Sequence, residues 1–416
     1  MKRVLAALAA ICAVVALPGQ AWAAEGPLPY SFDPAGRVVR GAASTGDAPA
    51  LAAGGTYRDS IGPGEKRVYR LDLDSRSDAY VSAVAVPGKG ERVDYSDGIT
   101  VTVQDRDGYS CSDNSTTFES AQFARPIAAY AYRTIGRGGA SCQAAGAYYA
   151  VVERKTKDIA GQGDWAVELR QAQEPPVRTG GPSTAPTSWP SGSPAPLTGD
   201  GTDRAGGTGF NDAPELRKGV WRSGIVPGQT LFYRVPVTWG QQLYAGAELG
   251  SSPSGTGSGR AYLPGALVMR LYNPLRGSVE SVSTAYDGKQ KAVELDPLPP
   301  VAYENRFGIG DKVEGMRAAG SFYLAVTLSP EVAASFGTAH ALTLRVNVKG
   351  QALQGPSYDG VAPDLGAAGG APVARSGAMR VVGVAGIGTG SVLVLGLGVW
   401  TLVARRRAGR RAAAGW

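Results

Sequence analysis

Few side chains in this chain are equipped for bond-making chemistry. Among 416 residues there are three cysteines and a single histidine, His340. A Ser-His-Asp or Cys-His device requires that histidine, and no Gly-x-Ser-x-Gly elbow accompanies it. Zinc ordinarily takes more than one His or free Cys. His340 therefore reads as a strand-end histidine. Cys12 lies in an N-terminal apolar run expected to be cleaved away, which leaves Cys111 and Cys142 in an oxidising exterior. A disulfide is the default there, closing about 30 residues and stabilising by about 3 kcal/mol through lost chain entropy. A reactive or metal-binding thiol is the alternative. Asp105, Asp107 and Asp113, with Asp94 and Asp97 nearby, could gather oxygen ligands for Ca²⁺. Against this, Asp-x-Asp-Gly is first of all a hairpin turn, and the spacing departs from the EF-hand pattern. The expectation is no metal and no cofactor, with Ca²⁺ on those three aspartates as the alternative. No Asp/Glu pair stands out from solvated surface as a glycosidase pair would. Arg58, Arg222, Arg70 and Arg234 could bind an anion or lay their stems across a sheet face. Tyr130 and Tyr132 read as loop tyrosines suited to carbohydrate or protein contacts, or to loop packing.

The ends set the topology. Residues 1–23 run from Lys2-Arg3 through an apolar stretch to Ala21-Trp22-Ala23, the build of a secretory signal peptide. Residues 381–404 carry no charge and are long enough to cross ~30 Å of hydrocarbon. Five arginines follow in residues 405–416, which predicts a single-pass span with the body outside and a short basic tail inside. Gly386 and Gly390 form a GxxxG that could pair two spans, although the segment is Gly-rich throughout. Lys2, Arg3 and the five tail arginines account for the whole net charge of +7, so residues 24–404 are neutral. That balance gives no reason to expect nucleic acid. The Gly/Ala-rich, Arg-over-Lys composition fits a GC-rich bacterium of actinobacterial type.

The middle contains a repeat. Gly55–Leu73 aligns without a gap to Gly219–Val237, with Gly55/Gly219, Arg58/Arg222, Ile61/Ile225, Pro63/Pro227, Gly64/Gly228, Tyr69/Tyr233 and Arg70/Arg234 identical. Farther on, Ala145–Tyr149 matches Ala319–Tyr323 at an offset ten residues larger, so the second copy carries an insertion, including Pro297–Pro300. Short runs rich in β-branched and aromatic residues predict strands over 68–73, 80–86, 99–104, 148–153 and 165–170. The second copy repeats them over 231–237, 243–249, 266–272, 322–328 and 342–348. The chain therefore reads as all-β, with two antiparallel β-sandwiches over 52–171 and 210–349. An extended segment (24–51) precedes them, a Pro/Ser/Thr/Gly linker (172–209) joins them, and a flexible Gly/Ala/Pro stalk (350–380) follows.

The pattern G-x-Y/W-x-x-x-I-x-P-G followed by Y-R resembles the opening of the bacterial pre-peptidase C-terminal domain. Val101–Gly108 fits the turn that follows in that family, and Met269–Gly277 does so more loosely. The resemblance covers both units and implies tandem jelly-roll-like sandwiches of the kind found beside secreted proteases. No protease domain is attached here. The expected function is a non-catalytic cell-surface binding or scaffolding protein, with an extracellular protein or glycan as partner. The alternative is an accessory or divergent secreted peptidase-associated protein.

Overall fold

Alternation of apolar and polar side chains decides which residues pair into sheets. In the computed structural model, residues 27–136, 141–159, 162–178, 184–252 and 262–365 are described, all within one contact unit. The expected signal peptide and span lie outside them; among the described residues no helix is long and apolar enough to cross a membrane. The first half supplies β1 (Arg37–Val38), β2 (Thr56–Ile61), β3 (Lys66–Leu73), β4 (Asp78–Val86), β5 (Gly98–Asp105), β6 (Ser110–Thr117), β7 (Ile127–Arg133), β8 (Gly146–Lys155) and β9 (Trp165–Glu174). The second supplies β10 (Thr202–Asp203), β11 (Gly219–Ile225), β12 (Thr230–Val237), β13 (Gln242–Leu249), β14 (Leu263–Tyr272), β15 (Ser278–Tyr286), β16 (Lys291–Glu294), β17 (Gly320–Leu328) and β18 (His340–Lys349). Two short helices, α1 (Asp311–Glu314) and α2 (Val332–Phe336), flank β17.

These strands make two tandem β-sandwiches. Sheet β1-β2-β9-β4-β7 covers β3-β8-β5-β6, and sheet β10-β11-β18-β13-β16 covers β12-β17-β14-β15, the same order in each half. Every pairing within the sandwiches proper is antiparallel. Pro63-Gly64 and Pro227-Gly228 turn the chain as their residue types require, with Gly64 at φ 70° and Gly228 at φ 82°.

The repeat begins earlier than its strand pattern suggests. Both β1 and β10 pair in parallel with the first long strand of their sandwich. Ala42 bridges Val68 as Gly207 bridges Phe232, and Ala50 bridges Arg70 as Glu215 bridges Arg234. Aligning these arms matches Gly36/Gly201, Gly41/Gly206, Asp47/Asp212, Ala48/Ala213, Pro49/Pro214 and Leu51/Leu216. Leu51 and Leu216 are buried in the first and second core respectively. The extended segment 24–51 and the end of the linker 172–209 are thus equivalent arms. They lack alternation because they pair through backbone groups at only a few points. Residues 350–365, within the expected stalk, are docked rather than free. Leu353 N–H donates to Trp239 O, Tyr358 bridges Val177, and Ser321 N–H donates to Leu365 O at 2.7 Å.

The four sheets stack. On β4, Ala79, Val81, Ala83 and Ala85 face the first core, while Tyr80, Val84 and Val86 face the second sandwich. On β12, β14 and β17, Phe232, Tyr272 and Ala325 return the contact. The middle sheets are therefore apolar on both faces, and a third apolar layer lies between the sandwiches. At Gly277 a Cβ would overlap the Tyr130 ring across that seam, whereas at Gly224, on β11, it would meet nothing within 4 Å. Gly277→Ala is expected to cost about 1–3 kcal/mol in chemical denaturation, and Gly224→Ala to leave the midpoint within experimental error or raise it.

Candidate functional site

Charged side chains are buried at the seam, and most of them meet an opposite charge there. Glu168, on β9, is completely buried and accepts from Arg276 Nη1 at 2.5 Å, Asn211 Nδ2 at 3.0 Å, Tyr30 OH at 3.3 Å and the Asp33 N–H at 2.7 Å. Arg276 also donates to Asn211 Oδ1 at 2.9 Å and lies over the Phe210 ring. Glu174 ends the same strand and takes two bonds from Arg306, at 2.9 and 3.1 Å, with the hydroxyls of Tyr80 and Tyr358 completing its set. Arg306 reaches Asp78 at 3.0 Å as well. Arg270 bonds Glu119 at 2.8 Å and Thr116 at 2.6 Å. Arg306 and Arg317 belong to the ten-residue insertion region of the second copy, so that region serves as a clamp on the first sandwich.

Burial raises the Glu174 carboxyl, but Arg306 and its hydrogen bonds outweigh this and hold it below the ordinary range. Asp78 goes the other way. Desolvation pushes it up to about 6, since Arg306 shares its charge with Glu174. With their acceptors engaged by fixed donors, these carboxylates fix the register between sandwiches.

The residues singled out by sequence are dispersed. Cys111 and Cys142 form a disulfide, Cα–Cα 5.8 Å, tying edge strand β6 to the connection between β7 and β8. His340 is buried at the start of β18; its Nε2 lies 3.0 Å from Gly337 O, and its ring meets Tyr286 edge-on. Asp105 closes its turn by accepting from the N–H groups of Asp107 and Tyr109 at 3.0 and 2.9 Å, while Asp113 lies on β6. Among the described residues no three His, Cys, Asp or Glu side chains are grouped to hold a metal ion. Arg58 bonds Asp33 O, Arg222 pairs with Asp203, Arg70 with Asp72 and Arg234 with Glu215. Tyr130 and Tyr132 are strand residues of β7, not loop residues. Both pack in the seam, and Tyr132 OH donates to Glu314 at 2.7 Å beneath Arg317. Their outward spacing on a strand opposite the second sandwich buries Tyr130 and leaves Tyr132 half-buried.

At one end of the seam a cleft of about 830 Å³ opens between the sandwiches. Its walls are the N-terminal residues 27–32, the β4–β5 connection, the segment before β7, the Pro227-Gly228 turn and Pro330. Glu91 fixes the β4–β5 connection by accepting from Trp165 Nε1 at 2.8 Å and Arg154 Nη2 at 3.0 Å. Arg125 lines the cleft at 5% exposure, donating to Phe118 O at 2.9 Å and Phe123 O at 3.2 Å. No local pattern in Phe123-Ala-Arg-Pro126 marks this arginine; its bonds return to Phe118 and Phe123, and Arg270 of the second sandwich acts on its charge.

No protein-family model matches the chain, and no curated protein matches it. Among solved structures, similarity is found to the N-terminal CBM22-1–CBM22-2 tandem of Xyn10C from Paenibacillus barcinonensis, 11% identical, over 72% of this chain and 93% of that one, at TM-score 0.19. The tandem CBM51 modules of a family 98 glycoside hydrolase from Streptococcus pneumoniae are 10% identical over 69% and 83%, again at TM-score 0.19. Likenesses at that score carry no statement about activity or ligand.

Asp78 provides a titration that reports on the seam. Its carboxyl stays protonated in the folded chain to about pH 6 and deprotonates near the ordinary value of about 3.9 when unfolded, so folding weakens as pH rises from 4 to 6. Asp78→Asn removes this loss. The variant's unfolding free energy relative to wild type is expected to rise by about 2–3 kcal/mol between pH 4 and 7 in urea titrations.

Proposed function

We propose that the chain is a non-catalytic binding or scaffolding protein of the cell surface, held by a single C-terminal span. Its carrying observation is the seam: the buried carboxylates and arginines that could do chemistry are engaged in joining two sandwiches, which leaves a rigid body with an open cleft. The disulfide supports an oxidising, extracytoplasmic setting, and the sequence reading of residues 1–23 and 381–404 supports secretion followed by anchoring. Strand order 2-9-4-7 facing 3-8-5-6, repeated in the second half, supports the jelly-roll-like reading. It is also compatible with the pre-peptidase C-terminal resemblance. The peptidase-associated alternative rests on that resemblance alone, and His340 is engaged with the Gly337 carbonyl.

The full-length protein in membranes is expected to hydrolyse neither casein nor chromogenic glycosides, and His340→Ala to change nothing; a His340-dependent activity would overturn the reading. Protease added to intact cells should remove the body and spare an epitope on the tail. Protection of the body would refute the proposed orientation.

A further inference from the structure

Most seam arginines meet a carboxylate; among the described residues half-buried Arg170, which donates to the Asp364 main-chain carbonyl, and buried Arg125 do not. Arg270, Arg276, Arg306 and Arg317 each meet a carboxylate within 4.0 Å. Arg125 is 5% exposed and meets none among the described residues. Two of its five donors are engaged by main-chain carbonyls, and its guanidinium carbon sits 5.3 and 5.1 Å from the Phe118 and Phe123 ring centres. Burial and the nearby Arg270 push it down to about 10, against smaller upward pulls from Tyr272 and Glu119, neither of which pairs with it directly. An uncompensated buried charge is costly unless something pairs with it.

The surroundings define what that partner is. Arg125 lines the cleft, whose volume of about 830 Å³ suits a small ligand. Phe32, Pro87, Phe123 and Pro126 contribute apolar wall. On the rim Lys89 and Arg92 are exposed, with Glu331 also in the lining and Glu91 already engaged with Arg154. One planar guanidinium with donors to spare matches a single carboxylate better than a phosphate dianion, which calls for more donors than one arginine offers.

We infer that the cleft binds a small apolar carboxylate, its head group paired with Arg125 and its aryl or acyl body laid against the proline and phenylalanine walls. This rests on the binding reading above and gives that reading a ligand class.

Isothermal titration of the full-length protein in nanodiscs tests it, using 3-phenylpropionate together with 3-phenylpropylamine and 3-phenylpropanol, and empty nanodiscs as reference. The carboxylate is expected to bind at least about tenfold more tightly than the other two, and Arg125→Gln to remove about that factor for the carboxylate alone. Equal affinities, an unchanged Arg125→Gln variant, or no carboxylate binding at millimolar concentration would each overturn the inference. Should the variant fail to fold, the wild-type thermal midpoint decides: it must rise with the carboxylate and not with the amine. A His340-dependent hydrolysis would sink the binding reading itself, whereas absent hydrolysis with absent phenylpropionate binding removes only the cleft assignment.

Discussion

Glu168 and Arg276 meet where neither reaches water: the side chains are 0% and 4% exposed. Removing two such charges from solvent costs several kcal/mol each, and their attraction offsets this only when every remaining lone pair and proton is met. Here Asn211 bridges both partners while Tyr30 and the Asp33 N–H close the carboxylate. Such an arrangement tolerates one relative placement of the sandwiches. A slide along the seam would leave charges buried and alone, so the pair acts more on register than on net stability. The surrounding contacts obey the same logic: Glu174 with Arg306, and Arg270 with Glu119, lie at different points of the seam and fix rotation as well as position.

The first lesson about legibility comes from β3 and β4. On β3, Tyr69, Leu71 and Leu73 alternate with Arg70 and Asp72, and that period of two marked a strand with one wet face. On β4 the run from Ala79 to Val86 is apolar at nearly every position, a signal that both faces are covered. The strand was readable from sequence, but its second partner was not, since the residues that cover it, Phe232 and Tyr272, lie about 150 to 190 positions away. Tyr130 and Tyr132 were misjudged for the same reason. The internal repeat was legible where alternation and the Pro-Gly turn coincide, and was missed in the arms at 36–51 and 201–216, which share Asp-Ala-Pro-x-Leu but whose few backbone bridges leave no strand alternation.

The candidate site was less legible than the fold. A disulfide follows from compartment and elimination, and its partners are fixed by there being two cysteines. Arg125 has no such clue. Its character depends on a carbonyl pair, two rings and a neighbouring arginine, Arg270, from the other sandwich, and sequence spacing encodes none of these. The copies have also diverged where they touch. The first closes its connection after β7 with a disulfide, while the second extends the matching region into the clamp that carries Arg306 and Arg317.

Equivalent sandwiches joined through non-equivalent faces make a head-to-tail contact. In the first, the β2-β9-β4-β7 face is used; in the second, it is the β12-β17-β14-β15 face. Repeated without change, a contact of that kind adds units until its rotation closes a ring or runs on as an open filament. On the free face of the first sandwich Val68, Gln104 and Val151 stand where Phe232, Tyr272 and Ala325 make the seam, and on that of the second the 190–197 segment lies across the sheet, held by Gln242 and Arg345. Each outer sheet thus departs from its equivalent in the seam, one by smaller side chains at the Phe232 and Tyr272 positions and the other by a segment laid over it.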